Sequence, residues 1–79
     1  MAILPGQSRA ARGLLGWSQD DLATASKVAK KTIADFERGA RTPYPRTIAD
    51  LEAAFQAAGI IFIDENGDGP GVRLRKHQG

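Results

Sequence analysis

Apolar residues recur at helical spacing over the first three quarters of the chain and then switch to the spacing of strands. Ala10, Ala11, Leu14 and Leu15 repeat along one helix face. Pro5 suits a helix start, where its missing N–H is not needed, and Gly16 is a stop signal. The spacing predicts a first helix over 6–15. Ser18 is a strong N-cap with Asp21 three residues on, an approximate capping box. A short second helix follows over 19–25 and buries Leu22 and Ala23. Ser26, Lys27 and Val28 interrupt it. A third helix over 29–38 turns Ile33 and Phe36 inward, with Val28 leading into it and Gly39 ending it. Pro43 and Pro45 punctuate the loop over 40–45. A fourth helix over 45–58 carries Ile48, Leu51, Phe55 and Ala58 on one face, and Gly59 closes it. Residues 60–63 are β-branched and aromatic and read as a strand. Residues 64–71 form a turn-rich loop with Asn66-Gly67, and 72–76 alternate like a half-buried strand. The expected fold is mainly α: a domain of four to five helices over 1–59, then a C-terminal β-hairpin over 60–79 with a frayed tail.

Composition narrows what such a domain does. The chain has 79 residues, of which Leu, Ile, Val and Phe supply 17 and Ala another 13. A core that thin is marginal for a lone small domain, so close helix contacts through Ala and a partner subunit are expected. There is no Cys and a single His, His77. Disulfides, thiolate nucleophiles and Cys-type zinc sites are thereby excluded, and most His-base chemistry with them. No enzyme, metal or cofactor is expected. The start lacks a basic region followed by an apolar core, so no signal peptide is expected. The longest apolar run, residues 60–63, is far short of a membrane span. A cytoplasmic protein is the default. The net charge is only +2, yet residues 1–46 carry eight Lys/Arg against four acids, and 47–69 carry five acids and no base. That asymmetry suggests one face aimed at an anion; ordinary surface charge is the plainer account.

Two short helices joined by a three-residue turn inside a helical cluster form the helix-turn-helix pattern. The matching residues are Arg9-Ala10-Ala11-Arg12, then Gly16-Trp17-Ser18-Gln19-Asp20-Asp21-Leu22-Ala23, Thr32-Ile33, Phe36-Glu37-Arg38-Gly39 and Arg41-Thr42-Pro43. In these the chain resembles the phage-repressor-like (Xre/Cro) helix-turn-helix transcriptional regulator family over residues 6–59. Gln19, Ala23, Val28, Ile33 and Phe36 fall at the family's key offsets. Ala23 is small where two helices cross; Val28, Ile33 and Phe36 lock the third helix to the core. One position departs: the family usually has Gly in the turn, and here Lys27 stands there, at about 1 kcal/mol if the backbone is left-handed.

The resemblance implies that the third helix lies in the major groove with its N-terminal residues at base edges. Carried over, the base readers are Ala29, Lys30, Lys31, Thr32 and Asp35. Lys donates to guanine O6 and N7, Asp accepts from cytosine N4, and Thr or Ala meets the thymine methyl. Lys30 and Lys31 are otherwise a solvated helix face, and Asp35 otherwise the partner of Lys31 four residues back. Phosphate contacts are implied for Gln19, Arg38, Arg41, Thr42 and Arg46, with Lys27 in reach of another. Gln19 is alternatively a polar helix-start residue. Arg12 and Glu37 are implied to form a shielded ion pair between the first and third helices, with Arg12 also able to present an edge to a phosphate. Trp17 reads as a core aromatic rather than a stacking platform.

Residues 64–69 imitate the start of a calcium loop, but the twelfth position is Arg75, where a bidentate Glu is required. An acidic hairpin turn is the better account. Residues 60–63 put apolar side chains on both strand faces, which a two-stranded hairpin cannot bury alone. A homodimer joined through Ile61, Ile63, Val72 and Leu74 is expected; the alternative is a hairpin folded on its own monomer. The functional expectation is a sequence-specific double-stranded DNA-binding regulator, a dimeric repressor or autoregulator reading an inverted-repeat operator, with no membrane partner. The alternative is an antitoxin that binds a partner toxin and autoregulates its operon, with DNA binding secondary; a toxin or another regulator is the protein partner considered.

Overall fold

The computed structural model describes residues 2–75. Four helices, α1 (Pro5–Leu15), α2 (Gln19–Ser26), α3 (Lys30–Glu37) and α4 (Pro45–Ala57), precede the strands β1 (Ile60–Ile63) and β2 (Gly71–Leu74). Each boundary has a local cause. Pro5 opens α1, and the Gln7 side-chain oxygen accepts from the Leu4 N–H at 2.9 Å. Gly16 ends α1 at φ 69°. Ser18 Oγ accepts from the Asp21 N–H at 3.0 Å while Asp21 accepts from the Ser18 N–H at 2.9 Å, the reciprocal capping box. The third helix is shorter than its pattern predicts by one residue at each end. Ala29 is its extended N-cap, and Arg38 its C-cap.

The core is a single cluster of Ile3, Ala11, Leu22, Val28, Ile33, Phe36, Ile48, Leu51, Phe55 and Ile60. Burial of a side chain such as Leu22, Ile33 or Leu51 contributes roughly 1.5–3 kcal/mol. Trp17 stacks on Phe55 at a centroid distance of 5.9 Å, and Phe62 meets the same ring edge-on at 5.8 Å. Ile60 and Phe62 thus carry β1 into the helical core, so the hairpin shares that core rather than building one past residue 59.

The strands pair antiparallel, Ile60 with Leu74, Ile61 with Arg73, Phe62 with Val72 and Ile63 with Gly71. Side chains directly opposite one another share a face. Ile60, Phe62, Val72 and Leu74 therefore form one face, and Ile61, Ile63, Gly71 and Arg73 the other. Phe62 and Val72 pack against the core. The four residues expected at a dimer interface thus lie on two faces of the hairpin, Ile61 and Ile63 on one and Val72 and Leu74 on the other. β2 also begins and ends earlier than 72–76, because its ladder is limited by the four residues of β1. Beyond it, the Arg75 N–H donates to the Gly59 carbonyl at 2.6 Å; Lys76 lies outside the described residues. Among the described residues no helix is long and apolar enough to cross a membrane.

Candidate nucleic-acid interface

The turn between α2 and α3 is built by Ser26, Lys27 and Val28. Ser26 Oγ donates to the Leu22 carbonyl at 2.7 Å and accepts from the Val28 N–H at 3.2 Å. Lys27 caps α2 with φ 61° and ψ 25°, and among the described residues it is the only one other than glycine with positive φ. The chain thus reverses at a position where glycine is unstrained. Val28 is buried at once, which sets the direction of α3.

Behind α3 lies a buried carboxylate. Glu37 is 3% exposed. It accepts from Ser8 Oγ at 2.6 Å, from Arg12 Nη2 at 2.7 Å, from Arg12 Nε at 3.0 Å and from Gln19 Nε2 at 3.2 Å. The Glu37 carbonyl also accepts from Arg9. Burial pushes this carboxyl up, but the hydrogen bonds from Arg12, Ser8 and Gln19 more than offset it and hold it below its ordinary value. The hydrogen bond to Glu37 correspondingly raises Arg12, against its own partial burial. Arg12 Nη1 further donates to the Trp17 carbonyl at 3.2 Å. One acid thereby joins α1, α2 and α3, fixing the angle at which α3 stands out.

The outer surface of α3 and the loop after it carry the other side chains. Ala29, Lys31, Thr32 and Asp35 line a hollow of about 270 Å³ together with Arg41 and Pro43. Thr32, Arg41 and Pro43 also line the adjoining hollow with Thr42, Tyr44 and Thr47. Four of the five expected base readers and two of the expected phosphate contacts are thus gathered in contiguous hollows. Lys30 is turned toward α2 and pairs with Asp20 at 3.3 Å. Asp35 is held between Lys31 at 3.4 Å and Arg38 at 2.9 Å. The Arg38 hydrogen bond, and then that of Lys31, keep its carboxyl below the ordinary range despite some burial. Gln19 is bonded inward to Glu37. Lys27 and Arg46 are exposed, the first in the turn and the second in the opening turn of α4.

Three residues in or beside this arrangement escaped the sequence pattern. Ser8 is completely buried and completes the Glu37 shell; its spacing of four residues before Arg12 is the signal that places both on one helix face. Gln7 donates to the carbonyls of Ile63 at 3.1 Å and Gly71 at 3.0 Å, clamping the hairpin to α1. Tyr44 stands exposed between two prolines. The acidic loop is a turn: Glu65 Oε1 accepts from the Gly67 and Gly69 N–H groups at 2.8 and 2.7 Å. Among the described residues no group of three or more His, Asp or Glu side chains is gathered as a metal ion would require.

Comparison with known families gives one match of direct bearing: the family described as helix-turn-helix matches residues 9–58. Those residues run from inside α1 to the end of α4. No curated protein matches the chain significantly.

Proposed function

Since the chain belongs to the phage-repressor-like helix-turn-helix family and is in general terms a DNA-binding regulator, we propose that it is a sequence-specific reader of double-stranded DNA. In this reading it acts in the cytoplasm, without enzymatic activity, as a dimeric repressor or autoregulator. The observation that carries the reading is the α3 surface: Ala29, Lys31, Thr32 and Asp35 around one hollow with Arg41 beside them. A helix held from behind by Ile33, Phe36 and Glu37 presents this face rigidly.

Lys31 donates to guanine O6 and N7, while Ala29 and Thr32 offer methyl contacts to thymine. Asp35 reads a cytosine amine only by exchanging its internal partners, Lys31 and Arg38, both of which phosphate oxygens compete for. Lys30 exchanges Asp20 in the same way. Arg41, Thr42, Arg38, Arg46 and Lys27 contact phosphates and set register without reading sequence. Gln19 contributes chiefly by holding Glu37, with its α2 start facing the backbone. A single module holds few contacts, so two copies on an inverted repeat supply the affinity.

Selection of bound duplexes from a random pool, followed by titration against salt, tests the reading. An enriched inverted repeat is expected. Four cationic phosphate contacts per subunit, about eight per dimer, predict a log–log salt slope of about −7. A flat salt response, or no retained duplex at low salt, defeats it.

A further inference from the structure

We propose that Tyr44 is a backbone contact of the DNA interface, its phenol seated against a sugar–phosphate unit beside the groove that α3 enters. This rests on the DNA-binding reading above and adds a residue that neither the helix-turn-helix pattern nor the charge distribution selects.

Tyr44 is 83% exposed, well beyond Leu4, Leu14 and Leu74, the other exposed large hydrophobic side chains among the described residues. Its backbone is stiff. Pro45 confines the preceding residue to extended geometry, and Tyr44 has φ −58° and ψ 150°. Its carbonyl accepts from the Ile48 N–H at 3.1 Å, anchoring it to the first turn of α4. The ring is thus held outward on a fixed frame, with only two side-chain torsions to order on binding.

The surroundings identify the ligand. The hollow that Tyr44 lines is completed by Thr32, Arg41, Thr42, Pro43 and Thr47. That is one guanidinium and three hydroxyls with no carboxylate, a composition suited to a phosphate oxygen and its sugar. An adjoining hollow, lined by Ala2, Pro43, Pro45, Ile48 and Ala49 with Thr42 and Glu52, is mostly apolar, but Tyr44 does not line it; Tyr44 lines the one bordered by hydroxyls and the guanidinium. Thr32 and Arg41 also border the α3 hollow, which makes the Tyr44 seat continuous with the reading face. The phenol O–H donates to a phosphate oxygen while the ring packs on deoxyribose. Because the phenol is neutral, this contact displaces no counterion.

The test titrates the full chain with its selected duplex at several salt concentrations, comparing the parent with Tyr44→Ala, Tyr44→Phe and Arg41→Ala. Tyr44→Ala is expected to bind about tenfold and Tyr44→Phe about threefold more weakly. Both should keep the parent salt slope, whereas Arg41→Ala flattens it. Tyr44 is the only tyrosine in the chain, so nitration by tetranitromethane reports this site alone, and bound duplex should protect it. Melting curves should stay unchanged, since the side chain is outside the core. If the parent binds duplex and Tyr44→Ala binds equally well with no protection from nitration, the inference is overturned while the DNA reading stands. A flattened salt slope in Tyr44→Ala overturns it too, because the ring would then act by positioning Arg41. Intact duplex binding with loss of a co-purifying protein assigns Tyr44 to a protein partner instead. A parent that binds no duplex removes the DNA reading itself.

Discussion

Among the described residues Glu37 is the one buried charged side chain, and its carboxylate accepts from Ser8, Arg12 and Gln19. Removing one partner of such a site leaves the other uncompensated. Glu37→Gln is therefore expected to destabilise the domain by about 1–3 kcal/mol at neutral pH. Because Glu37 titrates below its ordinary value of 4.5 when folded, its contribution is complete above that value and is lost as pH falls through the lowered one. Denaturant unfolding of parent and variant should show a constant gap at neutral pH that closes in acid; a gap unchanged at about pH 3 refutes this role. Lys27 gives the opposite kind of prediction. Its left-handed backbone, φ 61°, makes Lys27→Gly stabilising by about 1 kcal/mol, or about 4–8 °C in Tm for a domain of this size. The same change should weaken all duplexes alike and reduce the salt slope of the dimer by about two, one contact per subunit. A variant that melts lower than the parent would show that the lysine stem, not the backbone, decides stability there.

At the scale of elements, the proposed function divides reading and holding between α3 and the loop after it. Lys31 lies on the hollow side of α3 and Arg41 at its border. Lys31→Ala is expected to relax base preference at one position of each half-site, by roughly 1–3 kcal/mol. Arg41→Ala should weaken all sequences uniformly. Comparing both variants on the selected site and on single-base changes of it decides the matter; an identical, uniform loss in both would remove α3 as the reader. Much of this arrangement was legible in local pattern. The Ser18–Asp21 box, the break at 26–28 and the stop at Gly39 are each set within a few residues of themselves. The internal partners of Asp35 are half legible: the four-residue spacing points to Lys31, while the family pattern points Arg38 to phosphate and not to Asp35.

For the whole molecule, the proposed dimer decides how two reading helices are spaced. In the proposed dimer, the outer hairpin face carries Ile61 and Ile63 beside Arg73, apolar enough to seat a second copy on a two-fold axis. A two-stranded sheet also leaves edges that a second copy can close. Such a pair should set the half-sites about 34 Å, or about 10 base pairs, apart. Ile61→Asp should break it, since a charge would be buried without a partner, and specific binding should collapse with it. Ile61 is outside the central cluster, so the variant monomer should still fold. Sedimentation at micromolar concentration reads the outcome: a parent that runs as an 8.4 kDa monomer while binding one asymmetric site tightly ends the dimer model.

The amino-acid sequence by itself determined the helices, the turn, the strand pair and the family, because capping, glycine stops and the 3.6-residue repeat act between neighbours along the chain. It also brought Arg12 and Glu37 together through the family's spacing. Only the tertiary structure decided the rest. Ser8 reaches Glu37 across 29 residues, and Gln7 reaches Ile63 and Gly71 across 56 and 64. The four-residue spacing of Ser8 from Arg12 hints at the first contact, while nothing periodic reports the partners of Gln7. The division of Ile61 and Ile63 from Val72 and Leu74 likewise waited on the register of β1 against β2. In an extended strand a shift of one residue exchanges the two faces completely, and this register is the one that places Phe62 and its partner Val72 together against the core, a contact no local rule contains.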